Sequence, residues 1–255
     1  MILKPRLFRK PKLSIPISKG LVGLWLMNEG SGNIVQDLSG NGNNASITAG
    51  ENIVWAAGQT GSATKYEESA VDVLATTLTD VAAQDMTLII KFKIDDLTNE
   101  HDVFGFNTNF YMHRSGGSTV LRTTGGGWSS LNIGTVAANV WYVSAITITG
   151  TTVTKGYLDG AFVREDADIT GLAGGSPFVL GDRNVVPHKP FKGLIEYCYI
   201  YNRVLSASEI QQLYREPFCM FYCDPIELWT GAMGGGVPPI GNAGIMTCNA
   251  GIWGA

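Results

Sequence analysis

Glycoside hydrolysis needs two carboxylates across one scissile bond, one acting as acid and the other as nucleophile or base. The nearest pair in the sequence lies in Glu165-Asp166-Ala167-Asp168. That run follows an Asp159-Gly160 turn signal, so it falls on a loop rather than along one strand face. It reads as a solvated acidic turn, and catalysis is not expected. A Ser-His-Asp arrangement has no support either. His101, His113 and His188 are scattered, and no Gly-x-Ser-x-Gly elbow accompanies them. The same scatter argues against zinc, since Cys219 and Cys223 have no second pair behind them. In an extended chain those two Cα atoms stand about 13 Å apart, beyond the roughly 7 Å that a disulfide spans. Cys219 and Cys223 are expected to be small buried thiols, and none of the four cysteines (198, 219, 223 and 248) needs to pair.

Binding chemistry has better candidates. Calcium takes six to eight oxygens from carboxylates, amides and carbonyls. Asp37, Asn41 and Asn43 sit in a Gly-rich loop able to wrap an ion, although Asp and Asn also suit a plain turn. Structural calcium is the one cofactor expected. Glycan binding would use an exposed ring on a loop: Trp128 within Gly125-Gly126-Gly127-Trp128-Ser129-Ser130, with Tyr111 and Arg114 as companions. Trp25 and Trp141 lie in strand patterns and are expected in the core.

The two ends suggest assembly. Residues 1–19 hold Lys4, Arg6, Arg9, Lys10, Lys12 and Lys19 and no acid, while the other 236 residues carry a net charge of −10. With Pro5, Pro11 and Pro16 the arm reads as a semi-rigid strap along an acidic neighbouring subunit. Only Phe8 is available for base stacking, so nucleic acid is not an expected partner. No apolar segment follows the basic residues, so the arm does not read as a secretory signal, and cytoplasmic synthesis is expected. No run of 18 apolar residues occurs, and no membrane-spanning helix is expected. After Glu227 come 28 uncharged residues, with Ile252 and Trp253 near the end. Ordering them would cost roughly 28–56 kcal/mol. More than about 1,000 Å² of apolar burial would be needed to offset that, so a docked tail needs a large surface, such as a neighbouring subunit.

Strands must position all of these groups. Met86, Leu88, Ile90, Phe92 and Ile94 alternate with less apolar residues, which predicts a half-buried strand. Val140–Thr149 is β-branched or aromatic at every position but Ser144 and Ala145. Asp159-Gly160 predicts a hairpin turn, and Ser115-Gly116-Gly117-Ser118 a second hairpin tip. Phe191–Tyr201 has little polarity on either face, so it is expected to be central. One helix stands out. Ser206 and Glu209 form a capping box, Ile210, Leu213 and Tyr214 share one face, and Pro217 ends it. Short strands, Gly-rich turns and one helix predict an all-β antiparallel sandwich. The organisation expected is an arm (1–19), a sandwich (20–216) and an assembly tail (217–255).

Several segments resemble one family in order. Gly20-Leu-Val-Gly-Leu-Trp25-Leu-Met-Asn-Glu29-Gly30-Ser31-Gly32 and the Asp37–Asn43 loop look like the opening of a laminin G-like, concanavalin A-like jelly-roll domain. Gly58-Gln-Thr-Gly61-Ser-Ala63, Trp141 with Tyr157-Leu-Asp159-Gly160, and Phe191–Glu196 with Ile200–Glu209 are similar to its later elements. The resemblance implies a jelly-roll fold that carries Glu196 toward the opening strand, where it would join Asp37, Asn41 and Asn43 around calcium. At Glu196 the family commonly has Asp, with Glu where Tyr197 stands. Hydrolases of the fold present Glu-x-Asp-x-Glu along one strand, a run absent here. The basic arm and uncharged tail resemble phage or prophage proteins that carry one such domain on the virion. The expectation is a non-catalytic module decorating a capsid or tail, contacting neighbouring copies as a homo-oligomer and binding surface glycans. The alternatives are a stand-alone lectin-like adhesin and, more distantly, a glycoside hydrolase.

Overall fold

The computed structural model describes residues 4–5, 11–12, 14–47, 52–68, 72–79, 85–107, 110–114, 120–125, 129–150, 153–166, 177–182 and 188–221. A 3-10 turn (Pro16–Ser18) precedes β1 (Leu21–Trp25), β2 (Ile34–Val35), β3 (Ala45–Ile47), β4 (Val54–Ala57), β5 (Ser62–Glu67) and β6 (Leu74–Thr76). Then come β7 (Met86–Ile94), β8 (His101–Asn107), β9 (Phe110–Arg114), β10 (Val120–Gly125) and β11 (Ser129–Thr135). The chain continues through β12 (Trp141–Thr149), β13 (Val153–Leu158), β14 (Ala161–Asp166), β15 (Val179–Leu180) and β16 (Lys192–Tyr201), and ends in α1 (Ala207–Arg215) and a 3-10 turn (Cys219–Phe221).

Two antiparallel sheets face each other. The first runs β14-β13-β12-β7-β16-β5-β4, and the second β11-β10-β9-β8-β15-β6-β3-β2. Strand β16 is central, as its two-sided apolar pattern predicts. It pairs with β7 along one side, and along the other with β5 at Lys192–Ile195 and β1 at Cys198–Tyr201. Between the sheets lie Trp25, Tyr66, Phe92, Phe104, Phe178, Ile195 and Ile200, all buried. The Asp159-Gly160 turn has φ of 50° and 77°, the left-handed pair that a two-residue hairpin requires.

The outer face of the first sheet is covered by a second apolar layer. Ile210 and Leu213 of α1, with Phe218 and Met220, pack on Tyr197, Tyr199 and Tyr201. Tyr197 and Tyr199 stack at 4.9 Å, and the Tyr199 hydroxyl donates to the Pro217 carbonyl (2.9 Å). This layer corrects the half-buried reading of β7. Thr87, Ile89 and Lys91 are buried too: α1 and Phe218–Phe221 pack in one layer with Ile89, Thr87 bonds the 203–205 loop, and Lys91 lies by the Trp141 and Tyr197 rings. The helix begins at the expected capping box, with Ser206 N–H donating to Glu209 Oε2 (2.9 Å) and Glu209 N–H to Ser206 Oγ (3.3 Å). Cys198 and Cys219 are buried free thiols, both pushed up by burial, Cys219 to about 11.

Candidate functional site: a polar cleft at one rim

Four segments meet at one end of the sandwich. Strand β5 runs out at Glu67, the loop 95–100 crosses from β7 to β8, β15 ends before Asp182, and residues 188–191 lead into β16. Buried Phe191 anchors the meeting point, its ring edge-on to Tyr66 (5.6 Å) and His101 (6.3 Å). Its N–H donates to Gly181 O (2.8 Å), and its carbonyl accepts from Glu68 N–H (3.1 Å). Glu68 sits at φ 66°, a left-handed conformation rare for a side chain of this size and of the kind that collects at functional sites.

These segments enclose an open cleft of about 370 Å³ lined by Glu68, Thr98, Asn99, Glu100, His188, Lys189 and Pro190. Its polar groups are held in fixed positions. The Asp96 carboxylate accepts from Thr98 Oγ1 (2.7 Å), Thr98 N–H (3.0 Å) and Lys192 Nζ (2.9 Å), which hold its carboxyl well below the usual range. Glu68 accepts from Asn99 Nδ2 and faces Lys192 Nζ at 3.5 Å. Lys189 Nζ reaches Glu100 at 2.6 Å. Behind them, fully buried Asp182 accepts from His188 Nδ1 and from Lys189 N–H (3.3 Å). A carboxylate only accepts, so Nδ1 carries a proton toward Asp182. The cleft therefore offers an imidazole, an amide, a hydroxyl and paired charges, a set suited to hydroxyl-rich ligands.

The expected calcium ligands fold differently. Asp37 Oδ1 accepts from Leu24 N–H (3.0 Å) and Ser39 N–H (2.8 Å); Oδ2 accepts from Ser39 Oγ (2.8 Å) and Asn43 N–H (2.9 Å). Asn41 and Asn43 turn their amides inward to the carbonyls of Leu21 (3.1 Å) and Val22 (2.9 Å). The loop is a knot of internal hydrogen bonds that pins β1. Glu196 does not join it. A β-bulge sets Glu196 opposite Lys91, where Oε1 accepts from Thr60 Oγ1 (3.0 Å) and Oε2 pairs with Lys91 Nζ (2.6 Å). Among the described residues, no three His, Cys, Asp or Glu groups converge.

The expected glycan companions separate as well. Residues three apart on a strand point to opposite faces. Tyr111 is half-buried beside His113 (5.2 Å between rings), while Arg114 is fully buried and pairs in register with His101. Trp128 lies outside the described residues, as do Arg6, Arg9, Lys10, Ile252, Trp253 and the Ser115–Ser118 tip. Lys4 is turned into its own domain, donating to the carbonyls of Met27 (3.4 Å) and Ser62. Trp25 is in the core. Trp141 is half-buried, its ring 5.5 Å from Lys91 Nζ. Nothing in the sequence singles out Glu68, Asn99, Asp182 or His188 as a binding site. The Asp182–His188 spacing of six, in a segment without strand periodicity, gives no local signal. Only the β7–β8 crossing brings the second wall to it.

A family model described as the concanavalin A-like lectin/glucanases superfamily matches residues 67–211. The chain belongs to that superfamily. Solved structures with the same fold include the binding domain of Paraclostridial Mosquitocidal Protein 1 (17% identity, TM-score 0.63), of which this chain covers 53% with 80% of its own length. Trypanosoma rangeli sialidase gives 16% identity and a TM-score of 0.61, over 79% of this chain and 33% of that one. Domain 4 of AbnA, a GH43 extracellular arabinanase from Geobacillus stearothermophilus, in complex with arabinotriose, gives 19% identity and a TM-score of 0.57, over 76% of this chain and 98% of the domain. The chain thus spans about half of the first and a third of the second. No curated protein matches the sequence.

Proposed function

We propose that this domain is a non-catalytic carbohydrate-binding module whose site is the rim cleft. The observation that carries the reading is the set of donors and acceptors lining an open gap on a lectin-family sandwich, His188 and Asn99 among them. The carboxylates there are each tied to a cation, hydroxyl, amide or backbone N–H, which supports binding rather than proton transfer. Glu68, Asp96, Glu100 and Asp182 outnumber Lys189 and Lys192. This balance favours a neutral saccharide, of which the arabinotriose bound by the AbnA domain is an example, over a sialylated one.

Calorimetric titration with arabinotriose, other neutral oligosaccharides and sialyllactose tests this. Binding of a neutral sugar that falls at least tenfold in His188→Ala and Asn99→Ala is expected. Full binding retained in both variants removes the cleft from the site. Release of reducing ends from any of these sugars would replace the binding module with an enzyme.

We infer further that the module serves on a virion-type particle, decorating a capsid or tail. The support is the basic arm on an acidic body and the uncharged end after Glu227. Co-purification with particles is the expected result, and recovery only as free soluble protein would overturn it.

A further inference from the structure

The apolar layer on the outer face of the first sheet stops before the rim. It takes in Ile89, Val143 and Tyr197. The next row on that face runs in register across the strands: Val54 of β4, Lys65 of β5, Leu194 of β16, Lys93 of β7 and Trp141 of β12. Apolar and cationic side chains alternate along it. The turn that delivers Trp141 is fixed. Asn139 sits at φ 61°, its N–H donates to Ile94 O (2.7 Å), and its side-chain amide donates to Asp95 O (3.1 Å).

The lysines of this row are drawn aside. Lys65 pairs with Glu67, and Lys93 Nζ reaches Asp95 at 3.4 Å. Each carboxylate lies two residues further along the same strand, on the same face and nearer the rim. The ammonium groups therefore lean toward the rim, and their hydrocarbon stems are left flanking Leu194. Buried Lys91 places its Nζ 5.5 Å from the Trp141 ring, and Trp141 itself remains half-buried. The row thus presents an aromatic ring and apolar stems with its charges balanced, a surface that fits a neutral ligand with an apolar face better than an anion.

The row also joins the cleft. Lys192, whose ammonium meets Asp96 and Glu68 at the cleft wall, stands two residues before Leu194 on β16. Trp141 lies two strands across from it. At about 4.8 Å per strand and about 3.3 Å per residue, the two Cα atoms are about 12 Å apart, within reach of one oligosaccharide. A sugar ring carries hydroxyls at its edge and C–H groups on its face. The cleft answers the first, but its bordering segments 67–72, 95–100 and 182–190 contain no Phe, Tyr or Trp to answer the second. We propose that the saccharide site continues out of the cleft along this row, with the Trp141 ring as a stacking platform for a later unit of the same neutral chain. This rests on the reading of the cleft as a saccharide site.

The test is calorimetric titration of the full chain with arabino-, xylo- and cello-oligosaccharides, each from disaccharide to hexasaccharide. In a series that binds, affinity should rise beyond the disaccharide. Trp141→Ala should cancel the rise, lowering hexasaccharide affinity about tenfold, the worth of one aromatic contact, and leaving the disaccharide unchanged. Trp141→Phe keeps a ring and should keep most of the rise. Hydroxyl-radical footprinting reads the wild type directly: the hexasaccharide should protect Trp141 and His188, and the disaccharide His188 alone. A disaccharide that binds as tightly as the hexasaccharide, an equal loss at both lengths in Trp141→Ala, or a Trp141 still oxidised under bound hexasaccharide overturns the extension and leaves the cleft standing. No binding in any series, or full hexasaccharide binding in His188→Ala and Asn99→Ala, is instead the failure of the cleft reading and takes the extension with it.

Discussion

Two groups of charges lie on this sandwich, and they are held in opposite ways. At the rim, Lys189–Glu100 and Lys192–Asp96 pair across an open gap with side chains 29–42% exposed. Beneath the arm, Lys91 and Glu196 pair with side chains 8% and 0% exposed, the ammonium also lying over the Trp141 and Tyr197 rings at 5.5 and 5.7 Å. Exposed pairs are screened and contribute little individually, so they can open for a ligand. A buried pair is costly to break because the remaining charge has no water. One region is built to exchange partners, and the other is built to stay as it is.

The largest expected effect follows from the buried pair. Glu196→Ala leaves Lys91 buried without its counter-charge and Thr60 without its acceptor, and should lower stability by about 3–5 kcal/mol in urea unfolding. If Lys91 is the cause, adding Lys91→Met should restore most of the loss, since an apolar replacement of both partners is often neutral. A double variant as weak as the single one would place the cost in Thr60 and the bulge instead.

The two regions should also part under titration. Asp96 is depressed chiefly by the Thr98 hydroxyl, then by Lys192. A carboxyl lower in the fold than in the open chain stabilises above its ordinary value of 3.8 and loses that support as pH falls below it. Lys4 is depressed by burial from 10.5 to about 7. Its docking favours the neutral amine, so it is strongest above pH 10.5 and weakens as pH falls toward 7, below which it no longer changes. Amide exchange followed against pH should show the rim loosening in acid and the arm tightening in alkali. An arm with flat protection between pH 7 and 10 would contradict the burial of Lys4.

The sandwich was largely legible in the sequence because its signals are local. The period of two in β7, the Asp159-Gly160 turn and the Ser206–Glu209 box each act within a few residues. The second layer over the first sheet was not, since nothing within Met86–Ile94 tells that α1 and Phe218–Phe221 return to the face that carries Ile89. The sites were less legible still. Asp37, Asn41 and Asn43 are the right chemistry for an ion and equally for an internal knot, and the donors from Leu24 and Ser39 that form the knot give no signal within the loop's residue types. Tyr111 and Arg114 are neighbours in sequence and opposites on a strand. The cleft joins residues 68, 98–100 and 188–190, a contact that closes only when both sheets are in place.

The smallest expected effect sharpens the rim side of the comparison. Glu100→Gln keeps the shape and removes one charge that is 42% exposed and paired with Lys189. Stability should move by less than about 0.5 kcal/mol, as for other exposed pairs. Ligand preference should move more, because the freed Lys189 ammonium no longer answers an internal carboxylate. Sialyllactose should gain affinity relative to a neutral trisaccharide, by a factor readable in paired titrations on one protein stock. A stability loss of several kcal/mol would mean that the rim pair is structural like Lys91–Glu196. An unchanged ratio would mean that Lys189 does not face the ligand.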